Sequence, residues 1–202
     1  IFNRQACKDM APERRDTDHE FGTNPCSEIV LRSAQFCNLT EVVVRPDDNF
    51  ETLKSKVGAA TVLGTLQSAL TDFRFLRKVW KNNCDEERLL GVSLTGIWDS
   101  EFFKAPRKGI ESDKQSTDDI RELKNHAIAV NKEWAEKLGI NPSTAITCVK
   151  PSGTVSQLVN SASGCHPRHS RYYVRRVRND IKDPLAKVMI DAGVPYEIDK
   201  FN

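Results

Sequence analysis

Early in the chain the apolar residues fall in two short runs, "EIVL" and "FCNLTEVVV", within residues 28 to 44, and both predict strands. Residues 8 to 20 before them are charged and predict a loop, and "RPDDN" at 45 to 49 has turn chemistry. The spacing then changes. Leu53, Val57, Ala60, Gly64, Leu70 and Phe73 recur at threes, fours or near multiples, which predicts a helix. "LLGVSLTGIWDS", 89 to 100, predicts a buried strand and a tight turn. Ser116 or Thr117 can cap a second helix, with Ile120, Leu123, Ala127, Val130, Trp134 and Leu138 as its apolar stripe and Gly139 at its stop. "TAITCVK", 144 to 150, predicts another buried strand, and "PSGTVSQLV" a loop leading into a helix. Asp183, Pro184 and Gly193 mark the cap, first turn and end of a last helix. Strands that alternate with helices favour an α/β architecture. No internal repeat and no Pro/Gly/Ser linker marks a boundary, so residues 1–202 are taken as part of one domain.

Composition narrows the classes. The net charge is +2 over 202 residues, which gives no global attraction to nucleic acid or acidic membranes. No apolar run approaches the roughly 18 residues that a membrane span needs. The chain opens at Ile1, in mid-pattern and with no visible signal peptide, and is taken as an internal piece of a longer protein. Six cysteines include no C-x-x-C pair, which weighs against a zinc ribbon or a thioredoxin-type site. A reducing cytoplasm is the expected compartment.

The candidate chemistry starts at "NPCSE", where Cys26 stands between Asn24 and Glu28. Pro25 biases Asn24 toward an extended backbone, and along extended chain alternate side chains share a face. An amide, a thiol and a carboxylate would then project together, able to hold a polar substrate and act on adjacent atoms. These residues alone leave open a buried cysteine beside a turn, with exposed Asn and Glu. In "PSGTVSQLV" the small residues Ser152, Gly153, Thr154 and Ser156 cluster where a helix begins, and free N–H groups there suit an anion. An ordinary Ser/Thr cap is the other reading, and the Walker pattern is absent. "HPRHSRYYVRRVR", 166 to 178, carries five arginines and two tyrosines; with a balanced net charge it predicts a partly buried strand with solvated or ion-paired arginines, not a nucleic-acid surface. His166 and His169 have no evident third ligand, so no metal site is expected.

"NPCSEI" followed by "FCNLTEV" resembles the active-site segment of ribonucleotide reductases, and is most similar to the monomeric, adenosylcobalamin-dependent class II enzymes. The interval of 11 residues from Cys26 to Cys37 fits that class. "PSGTVSQLV" resembles the family's substrate-phosphate loop, "SGCHPRHSRYYVRRVR" the segment after it, and "GVSLTG" is a weaker match. The resemblance implies part of a ten-stranded α/β barrel, adenosylcobalamin as radical source, and reduction of a ribonucleoside di- or triphosphate to the deoxyribonucleotide. It makes Cys26 the thiyl radical, Glu28 the base for the 3′-hydroxyl and Asn24 a holder of ribose hydroxyls. Cys37 becomes half of a redox pair whose partner lies further upstream. Cys7 is too near to be that partner and is expected to be structural, and Cys165 to be a small core residue. Ser152, Gly153, Thr154 and Ser156 would bind substrate phosphate. Thioredoxin or a similar reductant is implied, with a deoxynucleotide effector site outside residues 1–202, and no nucleic acid or membrane partner. Two rivals remain: a glycyl-radical enzyme on the same barrel, disfavoured by Cys37 and the phosphate loop, and a nucleotide-binding module without chemistry, which leaves "NPCSE" unexplained.

Overall fold

Leu90 and Val92 alternate with Gly91 and Ser93, and that period of two puts both apolar side chains on one face of a strand. The computed structural model describes residues 2–11, 15–104 and 110–199. A short helix α1 (Arg4–Asp9) precedes a hairpin of β1 (Phe21–Thr23) and β2 (Val30–Arg32). β3 (Asn38–Val43) then pairs in parallel with β4 (Leu90–Thr95), Asn38 opposite Leu90 and Val43 opposite Thr95. A parallel pair needs a long crossover, and helices α2 (Phe50–Ser68) and α3 (Lys78–Glu87) supply it. A 3₁₀ turn (Ile97–Asp99), α4 (Glu101–Lys104) and the long α5 (Ile110–Leu138) carry the chain to the next parallel segment. There the Val92 N–H donates to the Ile146 carbonyl at 2.8 Å and the Cys148 N–H to the Val92 carbonyl at 3.0 Å. The strand expected over 144–150 is thus reduced to a single bridge, Thr147 to Val92.

One face of this sheet meets the helices. Val42, Val44, Leu90 and Val92 pack with Leu53 and Val57 of α2, Leu123 and Ala127 of α5, and Ile146. Asn49 starts α2 with a capping box: its Oδ1 accepts the Thr52 N–H at 3.0 Å, and Thr52 Oγ1 accepts the Asn49 N–H at 2.9 Å. α2 stops at Ser68, so Leu70 and Phe73 lie beyond it, and Leu70 is 75% exposed. The end has a tertiary cause: Arg88 Nη1 donates to the Ser68 carbonyl at 2.6 Å and satisfies a terminal acceptor. α5 begins at Ile110, six residues before Ser116, because no proline or glycine interrupts residues 110–138. Ser116 and Thr117 therefore lie inside the helix. Ile120 of the expected stripe is exposed; Asn131 replaces it as a fixed point. Buried at 1% exposure, Asn131 donates to Thr65 Oγ1 and Ser143 Oγ at 2.9 Å each and accepts the Ser143 N–H at 2.9 Å. Gly139, at φ +65°, ends the helix as expected.

Residues 1–168 and 169–202 form two compact units. The second contains α6's successor in the chain, α7 (Pro184–Asp191); α6 (Thr154–Leu158) belongs to the first. Asp183 caps α7 by accepting the Leu185 N–H at 2.9 Å, with Pro184 in its first turn, as the sequence predicts. The strand expected over 166–178 is absent, and every residue there is exposed. Tyr172, Tyr173, Val174 and Val177 do not alternate with the arginines, so no single face can be buried. Ion pairing is present: Arg176 meets Glu197 and Arg178 meets Asp199, each at 3.2 Å.

Candidate active site

β1 and β2 pair antiparallel, Thr23 opposite Val30, and the residues between them form a tight hydrogen-bonded turn. The Ser27 N–H donates to the Asn24 carbonyl at 3.0 Å, the Asn24 N–H to the Ile29 carbonyl at 3.3 Å, and the Ile29 N–H to Asn24 Oδ1 at 3.1 Å. Ser27 sits at φ +63°. The extended segment expected for Asn24, Cys26 and Glu28 is therefore a turn. Pro25 explains the difference, since its fixed φ suits the second position of a β-turn as well as extended chain. The three residues share one turn and not one strand face. Cys26 is exposed at its tip. Glu28 is half-buried, and its Oε2 is buried without a hydrogen-bond donor among the described residues. With Asn24 Oδ1 taken by Ile29, the amide nitrogen is the end left to meet a ligand.

Buried charge fixes the hairpin from behind. Arg32 is 5% exposed and donates to Glu86 Oε2 at 2.5 Å and Asn83 Oδ1 at 3.1 Å. Arg15 Nε and Nη2 hold the two oxygens of Glu87 at 2.9 and 3.0 Å, with both side chains almost fully buried. Gln35 accepts the Arg32 N–H at 3.1 Å and also donates to Glu87. Nothing in the hydropathy pattern separates these charged residues from solvated ones.

The sheet face opposite the helices receives the hairpin. A Cβ placed on Gly91 would lie 2.4 Å from Leu39 Cδ2, 3.0 Å from Ile29 Cδ1 and 3.1 Å from Cys148 Sγ. Ile29, 4% exposed, is thus the apolar foot of the turn. Glu28, Cys37 and Cys148 are close enough to feel one another's charge. Burial and then the Glu28 carboxylate push the half-buried Cys37 thiol up. Burial, Glu28 and Cys37, in that order, push Cys148 to about 12. Both stay protonated thiols at neutral pH. Sequence reasoning missed Cys148; its signal was a place in a buried strand that feeds the phosphate-loop motif.

That motif is built as expected, a loop into α6, but its hydroxyls point inward. Ser152, 2% exposed, donates to Glu41 Oε1 at 2.6 Å and accepts the Ser156 N–H at 3.2 Å. The fully buried Ser156 hydroxyl is shared between the Ser152 and Gly153 carbonyls at 3.0 and 2.9 Å. Gly153 and Thr154 are exposed, and a Cβ on Gly153 would meet nothing within 4 Å. Residues after the loop are pinned to the end of β4. Arg168 grips both oxygens of Asp99 at 2.9 Å, and the Gly164 N–H donates to Thr95 Oγ1 at 2.8 Å. Cys165 is exposed and not the core residue expected, and Cys7 is half-buried on α1. Among the described residues no three His, Cys, Asp or Glu side chains converge to hold a metal ion, and no helix is long and apolar enough to cross a membrane.

No protein-family model matches the chain. It is 32% identical over 207 residues to the adenosylcobalamin-dependent ribonucleoside-triphosphate reductase of Lactobacillus helveticus (strain DPC 4571), covering 91% of this chain and 27% of that protein. It is 29% identical over 220 residues to the protein of the same name in Lacticaseibacillus paracasei (strain ATCC 334), covering 99% of this chain and 28% of the relative. A crystal structure of a B12-dependent (class II) ribonucleotide reductase superposes with a TM-score of 0.66 at 25% identity, over 96% of this chain and 28% of that one. The resemblance drawn from "NPCSEI" and "FCNLTEV" is borne out, and so is a mixed α/β architecture. The chain spans little more than a quarter of the length of these relatives.

Proposed function

We propose that this chain carries the radical-thiol turn, one redox cysteine and the nucleotide-phosphate loop of an adenosylcobalamin-dependent ribonucleoside-triphosphate reductase. It would form part of a ten-stranded α/β barrel with the rest of a longer cytoplasmic polypeptide, and would serve the synthesis of DNA precursors. The observation that carries the reading is the turn at Asn24–Ile29. It presents an exposed thiol, Cys26, two residues from a carboxylate whose buried Oε2 has no donor among the described residues. A substrate hydroxyl would supply that donor.

The residues divide the work as follows. The Cys26 thiyl takes the 3′ hydrogen, forming S–H and breaking C3′–H. A thiyl suits this step because the two bonds are of similar strength. Glu28 Oε2 accepts the 3′-hydroxyl proton, and the 2′-hydroxyl leaves as water with a proton from the redox thiols. Cys37, kept protonated by burial and by Glu28, supplies one of the two reducing equivalents and ends in a disulfide with a cysteine elsewhere in the polypeptide. Cys26 then returns its hydrogen to C3′. The sum is ribonucleotide plus two thiols giving deoxyribonucleotide, a disulfide and water. Thioredoxin or a similar reductant would reopen the disulfide, and a deoxynucleotide effector would bind outside these residues. Adenosylcobalamin, when bound, supplies the radical that oxidises Cys26; an exposed thiol at a turn tip fits the approach of so large a group. Asn24 Nδ2 would donate to a ribose hydroxyl. Gly153 and Thr154 would face the substrate phosphates while Ser152 and Ser156 shape the loop. α6 has only five residues, so local N–H groups rather than a long helix dipole would hold the anion.

The test is the full-length protein with 3′-tritiated ribonucleoside triphosphate. Cys26→Ser should bind nucleotide, release no tritium and form no product, because a serine O–H bond is too strong for the exchange. Tritium release by Cys26→Ser at the wild-type rate would refute the thiyl role.

A further inference from the structure

Three segments that are distant in sequence converge on the hydrogen atom of Gly91. Leu39 comes from the neighbouring strand β3, where it stands opposite Gly91 in the register. Cys148 comes from the bridge on the other side of β4. Ile29 comes from the turn above. A Cβ at Gly91 would meet Leu39 Cδ2 at 2.4 Å, a distance real Cβ contacts do not show. Leu39 could swing a terminal methyl away, but Ile29 Cδ1 at 3.0 Å and Cys148 Sγ at 3.1 Å already close the adjoining space. The sheet on the other side of Gly91 is filled by the core around Leu90 and Val92. The yielding partner is then Ile29, whose hairpin of three-residue strands lies on the sheet rather than within it.

The Ile29 backbone cannot move alone. Its carbonyl and its N–H are both bonded to Asn24, at 3.3 and 3.1 Å, and the Asn24 carbonyl accepts the Ser27 N–H at 3.0 Å. Asn24, Cys26, Glu28 and Ile29 therefore shift as one body. We propose that Gly91 is a positioning residue: the missing side chain at Gly91 sets the depth at which Ile29 seats, and so the place of Cys26 and Glu28 above the sheet. This rests on the reading of the turn as the reactive one. A displacement of about 1 Å at a reacting group can cost about 10²-fold in rate; Ile29 Cδ1, 3.0 Å from the added Cβ, must give by a few tenths of an ångström, which scales to a loss of about threefold to tenfold. Substrate-phosphate contacts belong to another loop, so binding and reaction should separate.

The experiment uses the full-length protein with 3′-tritiated ribonucleoside triphosphate. Gly91→Ala should lower kcat and tritium release together by about threefold to tenfold, with KM unchanged. Adding Ile29→Val, which shortens the foot by the methyl at issue, should recover most of the loss, whereas adding Leu39→Ala should recover little. A wild-type kcat for Gly91→Ala would overturn the proposal. So would equal rescue by Leu39→Ala and Ile29→Val, which would make Gly91 a packing residue between β3 and β4. If Gly91→Ala fails to fold, Ile29→Ala tests the seat from the other side: kcat should fall at constant KM, and an unchanged kcat would overturn the proposal. Cys26→Ser separates this from the underlying reading. An inert Cys26→Ser beside a fully active Gly91→Ala leaves the radical turn standing and removes the seat. An active Cys26→Ser removes the reading itself.

Discussion

Ser152 Oγ donates to Glu41 Oε1 at 2.6 Å, and this bond ties the phosphate-loop motif to the strand that follows Cys37. Glu41 is nearly buried, and Lys150 stands 3.9 Å from its other oxygen. The Ser152 oxygen, its proton given to Glu41, accepts the Ser156 N–H and so orients the first turn of α6. One carboxylate thus helps to set the shape of the loop.

Glu41→Ala should loosen this loop. A hydrogen bond to a charged acceptor contributes about 1.5–3 kcal/mol, so KM for the ribonucleotide should rise by about one to two decades. Glu41→Gln retains an acceptor and should cost much less. Equal KM values for wild type and Glu41→Ala in steady-state kinetics of the full-length protein would show that the loop keeps its shape without the bond.

Arg15 and Glu87 are 4% and 3% exposed in their side chains and paired at 2.9 Å. Arg15→Met would strand a buried carboxylate, which costs about 3–5 kcal/mol. The double change Arg15→Met/Glu87→Leu should recover most of that, since it removes both charges. Denaturant unfolding of the full-length protein reads both. Equal losses in the single and double variants would mean that the pair orders the hairpin in a way that apolar packing does not replace.

Alkylation should rank the cysteines. Cys26 is exposed, whereas the Cys37 thiol is pushed up by burial and Glu28, and Cys148 reaches about 12. Near pH 8 iodoacetamide should label Cys26 before Cys37, and Cys148 last of these three. An unfolded cysteine ionises near about 8.5, while folded Cys148 stays protonated to about 12. The neutral thiol therefore contributes stability below the unfolded value, and this is lost as pH rises from about 8.5 toward 12. Labelling mass spectrometry against pH checks the order; Cys148 reacting with Cys26 would contradict its burial.

Periodicity made β3, β4, α2 and α5 legible, because Val42, Leu90, Val92, Leu53 and Leu123 repeat at the periods of their elements. The caps at Asp183 and Gly139 were legible for the same local reason. The candidate site residues could be named from the sequence, but the shape they share could not. "NPC" suits extended chain and a β-turn equally, and only the Asn24–Ile29 hydrogen bonds decide between them. Arg15, Arg32, Glu86 and Glu87 look like solvated charge in sequence, since a buried pair is defined by partners 54 to 72 residues apart. Cys148 and Gly91 matter through contacts made by three separate segments. The inward turn of Ser152 and Ser156 depends on Glu41, which no spacing rule connects to them.

Glu28→Gln tests the division of labour in the turn. Glutamine keeps the shape and one carbonyl oxygen, but its amide cannot take a proton from a hydroxyl. The wild-type carboxylate has a buried Oε2 with no donor among the described residues, and the variant replaces that carboxylate with an amide. If Glu28 is the base, hydrogen exchange between Cys26 and the ribose continues while loss of the 2′-hydroxyl slows. General-base catalysis contributes about 10²- to 10⁴-fold, and deoxynucleotide formation should fall by that order. In a single-turnover experiment with 3′-tritiated substrate, tritium release should fall far less than product formation. A parallel fall in both would make Glu28 a residue that positions the thiol, consistent with its place in the same hydrogen-bonded turn as Cys26. No fall in either would leave the Asn24–Ile29 turn without a base, and the 3′-hydroxyl proton would have to go to a group outside this chain.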